Sequence, residues 1–146
     1  VSRELSISEL VEVMGEFTRM NIRLPATQRL SFTTLSVLHT LATVGPQRLG
    51  ELTASEQVTQ PAVTQIVTRL EREGLVERRA DPSDGRAVLV HLTAAGAAVV
   101  RGRQEERMVR LTELAERLTP AERSRIQAAL PALTRLVELH RASGEE

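Results

Sequence analysis

Cysteine is absent from all 146 residues, which excludes disulfides, thiolate metal ligands and redox sensing through a thiol. Lysine is absent as well, so all 19 basic residues are arginine. Genome composition accounts for that bias, because arginine codons are GC-rich. No uncharged apolar stretch approaches the roughly 20 residues that span a bilayer. No basic segment followed by an apolar run and a small-residue cleavage site opens the sequence. The expectation is a cytoplasmic protein with no membrane partner. Net charge is lacking too: 19 acids balance 19 bases, and a neutral chain does not advertise nucleic acid. Enzymatic signatures are equally sparse. His39, His91 and His140 fall on three different predicted elements, none is paired with a nucleophile, and no glycine-rich phosphate loop occurs. No catalytic residue, cofactor or metal site is therefore expected. A metal sensor built from His and Glu distant in sequence stays open as an alternative.

What is present suits one domain, or a small domain with a helical arm. Hydrophobic residues make up 41% and charged residues 26%, enough for a core under a soluble surface. Residues 5–24 have helical periodicity, with Leu10, Met14 and Phe17 on a stripe that Val13, Met20 and Leu24 widen. Pro25 ends that helix. Ser31 caps a second helix reaching Ala42, with Phe32, Leu35, Leu38 and Leu41 apolar. After the Gly45-Pro46 turn a short helix is predicted over 47–55, linked tightly by residues 56–58 to the best-marked helix of the chain. Thr59 can cap that helix, Pro61 sits in its first turn, and Gly74 can take the left-handed position past its end. Val63, Ile66, Val67 and Leu70 form its buried stripe. Strands are predicted over 76–79 and 87–92, around the turn formers Asp81-Pro82-Ser83-Asp84-Gly85. Thr93 caps a long helix over 94–117. Thr119-Pro120-Ala121-Glu122 opens the last one as a capping box, and Pro131 predicts a kink in it.

This order predicts a mainly α fold with a small β-hairpin. A short helix tightly linked to a longer one is a helix-turn-helix, and a following hairpin makes it winged. Periodicity alone fits a plain helical bundle with a hairpin equally well. The polar face of the helix after Thr59 favours DNA. It presents Gln60, Thr64, Gln65 and Thr68, with Arg69 lower down, while Pro61 and the small Ala62 permit close approach. Gln can bond adenine in a bidentate manner, and Thr offers a hydroxyl and a methyl group. Charge argues the other way: residues 47–92 hold six arginines and seven acids. A winged helix that binds protein instead of DNA stays open on that count.

The run from Ile66 to Arg79, together with Asp81-Pro82-Ser83-Asp84-Gly85-Arg86 and Leu92-Thr93, resembles the recognition helix and wing of the MarR family. Length and element order extend the likeness over nearly the whole chain. The resemblance implies a homodimeric, double-stranded DNA-binding transcriptional regulator, with repressor as the expected sign. Residues 1–30 and 94–146 would form a helical dimerisation region and 31–93 the winged helix-turn-helix. Thr59, Gln60, Pro61, Ala62, Thr64, Gln65 and Arg69 would meet a pseudo-palindromic operator in the major groove. Arg86 would enter the minor groove, where narrow A/T-rich segments attract a guanidinium. Asp84 would hold Arg69 or Arg86 in position. Gly85 departs from the pattern, since many relatives carry a second basic residue there. The resemblance also points to a cleft for small aromatic or phenolic anions, lined here by Phe17, Arg23, Leu35 and His39. Packing of an interface is the alternative role for those four.

Overall fold

Where apolar side chains recur every three or four residues, the chain coils so that they share one face. The computed structural model describes residues 4–23 and 30–144, without the side chains of Ile22 and Arg23. The elements in order are α1 (Ile7–Arg23), α2 (Phe32–Thr43), β1 (Gln47–Arg48), α3 (Leu49–Glu56), α4 (Gln60–Arg72), β2 (Val76–Asp81), β3 (Asp84–Leu92), α5 (Ala94–Glu116) and α6 (Pro120–Ser143). The expected helix end at Leu24 and Pro25 lies outside the described residues. The chain divides into two compact units, residues 1–107 and 108–146.

The core lies in the first unit, where α2, α3, α4 and the sheet converge. Val37, Leu38 and Leu41 of α2 meet Leu52 of α3, Val63, Val67 and Leu70 of α4, and Leu75, Val76 and Val90. All ten are buried, and burying each aliphatic side chain of this kind contributes roughly 1.5–3 kcal/mol before entropy is counted. Ile66 packs against the same cluster from the edge. The sheet has three antiparallel strands in the order β1-β3-β2.

Two sequence expectations need correction. Gln47 and Arg48 do not begin a helix. They pair with Val90 and Leu89 as a third strand, and α3 starts at Leu49. Two residues are too few to display the period-2 signature of a strand, and the partner that recruits them is some forty residues away. The hairpin strands are also longer than predicted, running to Asp81 and from Asp84 with only Pro82 and Ser83 between them. Turn-forming residues there extend the ladder instead of interrupting it. Helix α6 continues through Pro131.

In the second unit, Thr119 and Glu122 form the capping box. The Thr119 hydroxyl accepts from the Glu122 amide at 3.3 Å, and the Glu122 carboxylate accepts from the Thr119 amide at 2.8 Å. The Thr119 amide, and the Thr119 hydroxyl at 2.9 Å, both donate to the carboxylate and hold the Glu122 carboxyl below its usual range. Arg123 donates to the carbonyls of Ala115 and Leu118, closing the turn before α6. The α6 stripe of Ile126, Leu130, Leu133, Leu136 and Val137 is 41–51% exposed. On α1, Met14 and Phe17 are half exposed in the same way.

Candidate nucleic-acid interface

Helix α4 is fixed at both ends by local chemistry. At its start the Thr59 hydroxyl accepts from the Ala62 amide at 3.4 Å, and Pro61 occupies a position whose amide would have no helical partner. At its end the chain turns left-handed at Gly74, with φ +73°. The Leu75 amide then reaches the Leu70 carbonyl at 2.9 Å, and the Gly74 amide the Glu71 carbonyl at 3.0 Å. That is the Schellman pattern, and it returns Leu75 to the core. The link from α3 is made by Gln57 in the left-handed region, φ 52° and ψ 39°. Burial of Val63, Val67 and Leu70 then leaves Gln60, Pro61, Gln65 and Arg69 exposed, with Ala62, Thr64 and Thr68 half exposed beside them. The structure thus brings the candidate base-reading residues onto one solvent-facing surface.

The wing follows from a two-residue turn. Asp81 and Asp84 face each other across it. The Asp84 carboxylate accepts the backbone amide of Arg86 at 3.1 Å, ordering the strand at the point where Arg86 projects. Arg69, by contrast, pairs with Glu73 at 3.0 Å and not with Asp84. One turn along a helix is a shorter reach than the distance to the wing, so the i,i+4 partner wins. Arg78 binds the wing to α4: it donates to Glu71 from its side chain at 2.7 Å and from its amide at 3.0 Å, and to the Thr68 hydroxyl at 3.1 Å.

This bonding answers the charge objection. Of the six arginines in residues 47–92, four are paired internally: Arg48 with Asp81, Arg69 with Glu73, Arg78 with Glu71, and Arg79 with Glu77. The three other acids serve the backbone or a hydroxyl. Glu51 accepts the Arg48 amide, Glu56 the Thr40 hydroxyl, and Asp84 the Arg86 amide. Among the described residues, the side chains of Arg72 and Arg86 make no ion pair. Both are exposed, at the end of α4 and on the wing. Counting charges along the sequence missed this, because the negative ones are committed to the fold.

A separate cavity of about 250 Å³ lies in the first unit between α1, α2 and α5. Leu35 and His39 line it as expected, with Asn21, Phe32, Ser36 and Leu38, and α5 adds Val99, Val100, Arg103 and Arg107. Phe17 does not line it. Arg23 was the other expected member, and its side chain lies outside the described residues. Burial lowers the Arg103 pKa, and the neighbouring charge of Arg107 lowers it further. Arg107, one helical turn further along α5, adds a second cationic side chain to the lining. The contribution of Arg103 and Arg107 was illegible because residues 101–107 are polar on all faces. Among the described residues, no three His, Asp or Glu side chains gather as metal ligands would. Nor is any described helix long and apolar enough to cross a membrane.

A short helix, a tight link, a core-anchored second helix with an exposed polar face, and a β-hairpin define a winged helix-turn-helix DNA-binding protein. Comparison with known proteins places it further. The MarR family model matches residues 30–88. An HTH-type transcriptional regulator of Mycobacterium tuberculosis is 32% identical over 126 residues, covering 86% of this chain and 87% of that one. A Pseudomonas aeruginosa protein of known crystal structure is 29% identical, with a TM-score of 0.78, covering 89% of this chain and 91% of that one. A mutant form of MarR from Escherichia coli, 24% identical and covering 91% and 99%, shares the fold with a TM-score of 0.74. The chain belongs to the MarR family and is a DNA-binding transcriptional regulator.

Proposed function

We propose that the protein is a homodimeric repressor that binds a pseudo-palindromic operator and is released by a small anionic ligand. The observation that carries the DNA reading is the exposed surface of α4 lying next to a wing whose Arg86 has no internal ion pair among the described residues. Residues 31–93 supply the winged helix-turn-helix. Residues 1–30 and 94–146 supply the dimerisation region, where the exposed stripes of α1 and α6 want a partner. Thr59 and Pro61 set the start of α4. Gln60, Ala62, Thr64 and Gln65 meet base edges, Arg69 lies beside them, Asp84 orders the wing, and Arg86 enters the minor groove. Bound across a promoter, such a dimer excludes polymerase. The test is a titration of labelled duplex, taken from the DNA flanking its gene, at several salt concentrations. Phosphate contacts make log Kd rise linearly with log salt, so binding without salt dependence would remove the DNA reading.

The ligand part rests on the cavity beside His39. Its volume of about 250 Å³ lies just under the ~300–1,000 Å³ of drug-sized pockets, which suits a single aromatic ring. A carboxylate or phenolate there would meet the cationic side chains of Arg103 and Arg107 at the cavity wall. It would release DNA by favouring a dimer geometry whose recognition helices no longer match successive grooves. The test is titration with aromatic carboxylates and phenols, following DNA release and thermal stabilisation together. Undiminished binding in His39→Ala would remove His39 from the site, and undiminished binding in Arg103→Ala would remove the arginine from it.

A further inference from the structure

The strand missed in the sequence carries an arrangement that none of the DNA-contact assignments uses. Arg48 lies on β1, opposite Leu89 of β3. Its guanidinium donates from Nε at 3.0 Å and from Nη2 at 2.5 Å, both to Oδ2 of Asp81. The other carboxylate oxygen, Oδ1, accepts from the Ser83 amide at 2.9 Å and the Ser83 hydroxyl at 2.8 Å. Asp81 is only 6% exposed, so these four bonds replace its water. It stands where the β2–β3 register shifts, between Ala80 and Asp81, and it faces Asp84 across the turn. From Asp84 the next bond runs to the Arg86 amide. At the other end, the Arg48 amide is bound by Glu51 in the first turn of α3. Hydrogen bonds on either side, joined by the strand pairing of Asp81 with Asp84, thus lead from the helix-turn-helix, through Arg48 and Asp81, to the segment that bears Arg86.

We propose that Arg48 is a positioning residue for DNA binding: through Asp81 it fixes the wing turn so that Arg86 meets the minor groove in register with α4. This rests on the assignment of Arg86 to DNA made above. Two other roles are distinguishable from it. If Arg48 touched a phosphate directly, its loss would add to that of Arg86, and Asp81→Asn would free its charge and leave binding intact or stronger. If the pair served folding alone, its loss would lower stability equally whether or not Arg86 was present, without touching DNA affinity in the folded protein.

The experiment is a double-mutant cycle on the full chain, read by fluorescence anisotropy over a salt series. The probe is a duplex selected from a random pool by the wild-type protein, and thermal melts report folding. Arg86→Ala is expected to lower the salt slope by about 1. Asp81→Asn is expected to weaken binding about tenfold, within the range of coupled neighbours, and to lower the slope similarly. Adding Asp81→Asn to Arg86→Ala is expected to change nothing further. Ser83→Ala removes one of the four bonds from an exposed turn and keeps the test alive if Asp81→Asn does not fold. Its smaller loss must likewise vanish in the Arg86→Ala background. Additive losses, or wild-type binding by both Asp81→Asn and Ser83→Ala, would overturn the inference. If Arg86→Ala binds normally, the Arg86 assignment itself fails; a loss in Asp81→Asn then shows that the pair does not act through Arg86.

Discussion

The backbone at Gly96 passes so close to Leu75 that a Cβ on Gly96 would sit 2.1 Å from the Leu75 carbonyl oxygen. The same carbonyl accepts the Thr93 amide at 3.1 Å, while the Thr93 hydroxyl reaches the Gly74 carbonyl at 2.6 Å and caps α5 through the Gly96 amide. The end of α4, the end of β3 and the start of α5 are therefore clasped together. Gly96→Ala must push backbone aside, and we expect it to destabilise the protein by about 1–3 kcal/mol. Gly102 is the control. A Cβ there meets nothing within 4 Å, and alanine in a helix interior should stabilise by roughly 0.5–1 kcal/mol. Urea unfolding of both variants checks the contrast, and equal effects would refute it.

Base reading by α4 makes a second prediction. Gln65 is exposed and Thr64 half exposed on the face opposite the buried stripe, and no side-chain hydrogen bond inside the fold occupies either among the described residues. Gln65→Ala should weaken operator binding by about 1–3 kcal/mol where a good base contact is lost, and leave binding to random duplex nearly unchanged. Competition between specific and random DNA measures that ratio. A uniform loss on both would reassign Gln65 to the phosphates.

Much of this architecture was legible from the sequence, for reasons that also explain what was not. The caps at Ser31, Thr59 and Thr119 and the glycine at 74 act within a few residues, so local pattern revealed them. The stripe on α4 was legible because Val63, Val67 and Leu70 are separated by helical spacing. The β1 strand and the Arg48–Asp81 pair were not, because their partners are 41 and 33 residues apart in sequence, by the pairing of Arg48 with Leu89 and Asp81 with Arg48. Periodicity carries no information about such distances. The cavity was half legible: α2 supplied Leu35 and His39, whereas Arg103 and Arg107 enter it only through the placement of α5.

A third prediction concerns acid. The Ser83 amide and hydroxyl, then Arg48, hold the Asp81 carboxyl at about 2, below its ordinary 3.8. A carboxyl whose folded pKa is depressed contributes stability above its unfolded value and loses it as pH falls through the folded value. Stability from this group should therefore be fully present above about pH 4 and disappear toward pH 2. Asp81→Asn should be less stable at neutral pH and show a shallower decline over that acid window. Glu51 and Asp84 also face the Arg48 charge. Denaturant midpoints between pH 7 and pH 2 supply the measurement, and identical acid limbs would show that Asp81 is not held as described.

The last prediction concerns assembly. In α6, Ile126, Leu130, Leu133, Leu136 and Val137 remain 41–51% exposed, and in α1, Val11, Met14 and Phe17 remain 51–63% exposed. Monomeric proteins rarely leave contiguous apolar surface beyond a few hundred Å². Covering one such leucine in a second copy contributes roughly 1.5–3 kcal/mol if burial is complete, and about half that from a half-exposed start. A two-fold interface uses each residue twice, so a single substitution acts at two places in the dimer. Leu136→Glu should therefore raise the dimer Kd by at least about tenfold, by losing that burial and placing two carboxylates in an apolar seam. The winged helix-turn-helix core lies in residues of the other compact unit, so its thermal transition should persist. Operator affinity should fall with dimerisation, because a lone half-site contact forfeits the linkage of its twin. Sedimentation at micromolar concentration, run beside the anisotropy titration, reads both quantities. A wild-type monomer with intact operator affinity would refute the dimer; a variant that dimerises normally would move the interface off this stripe.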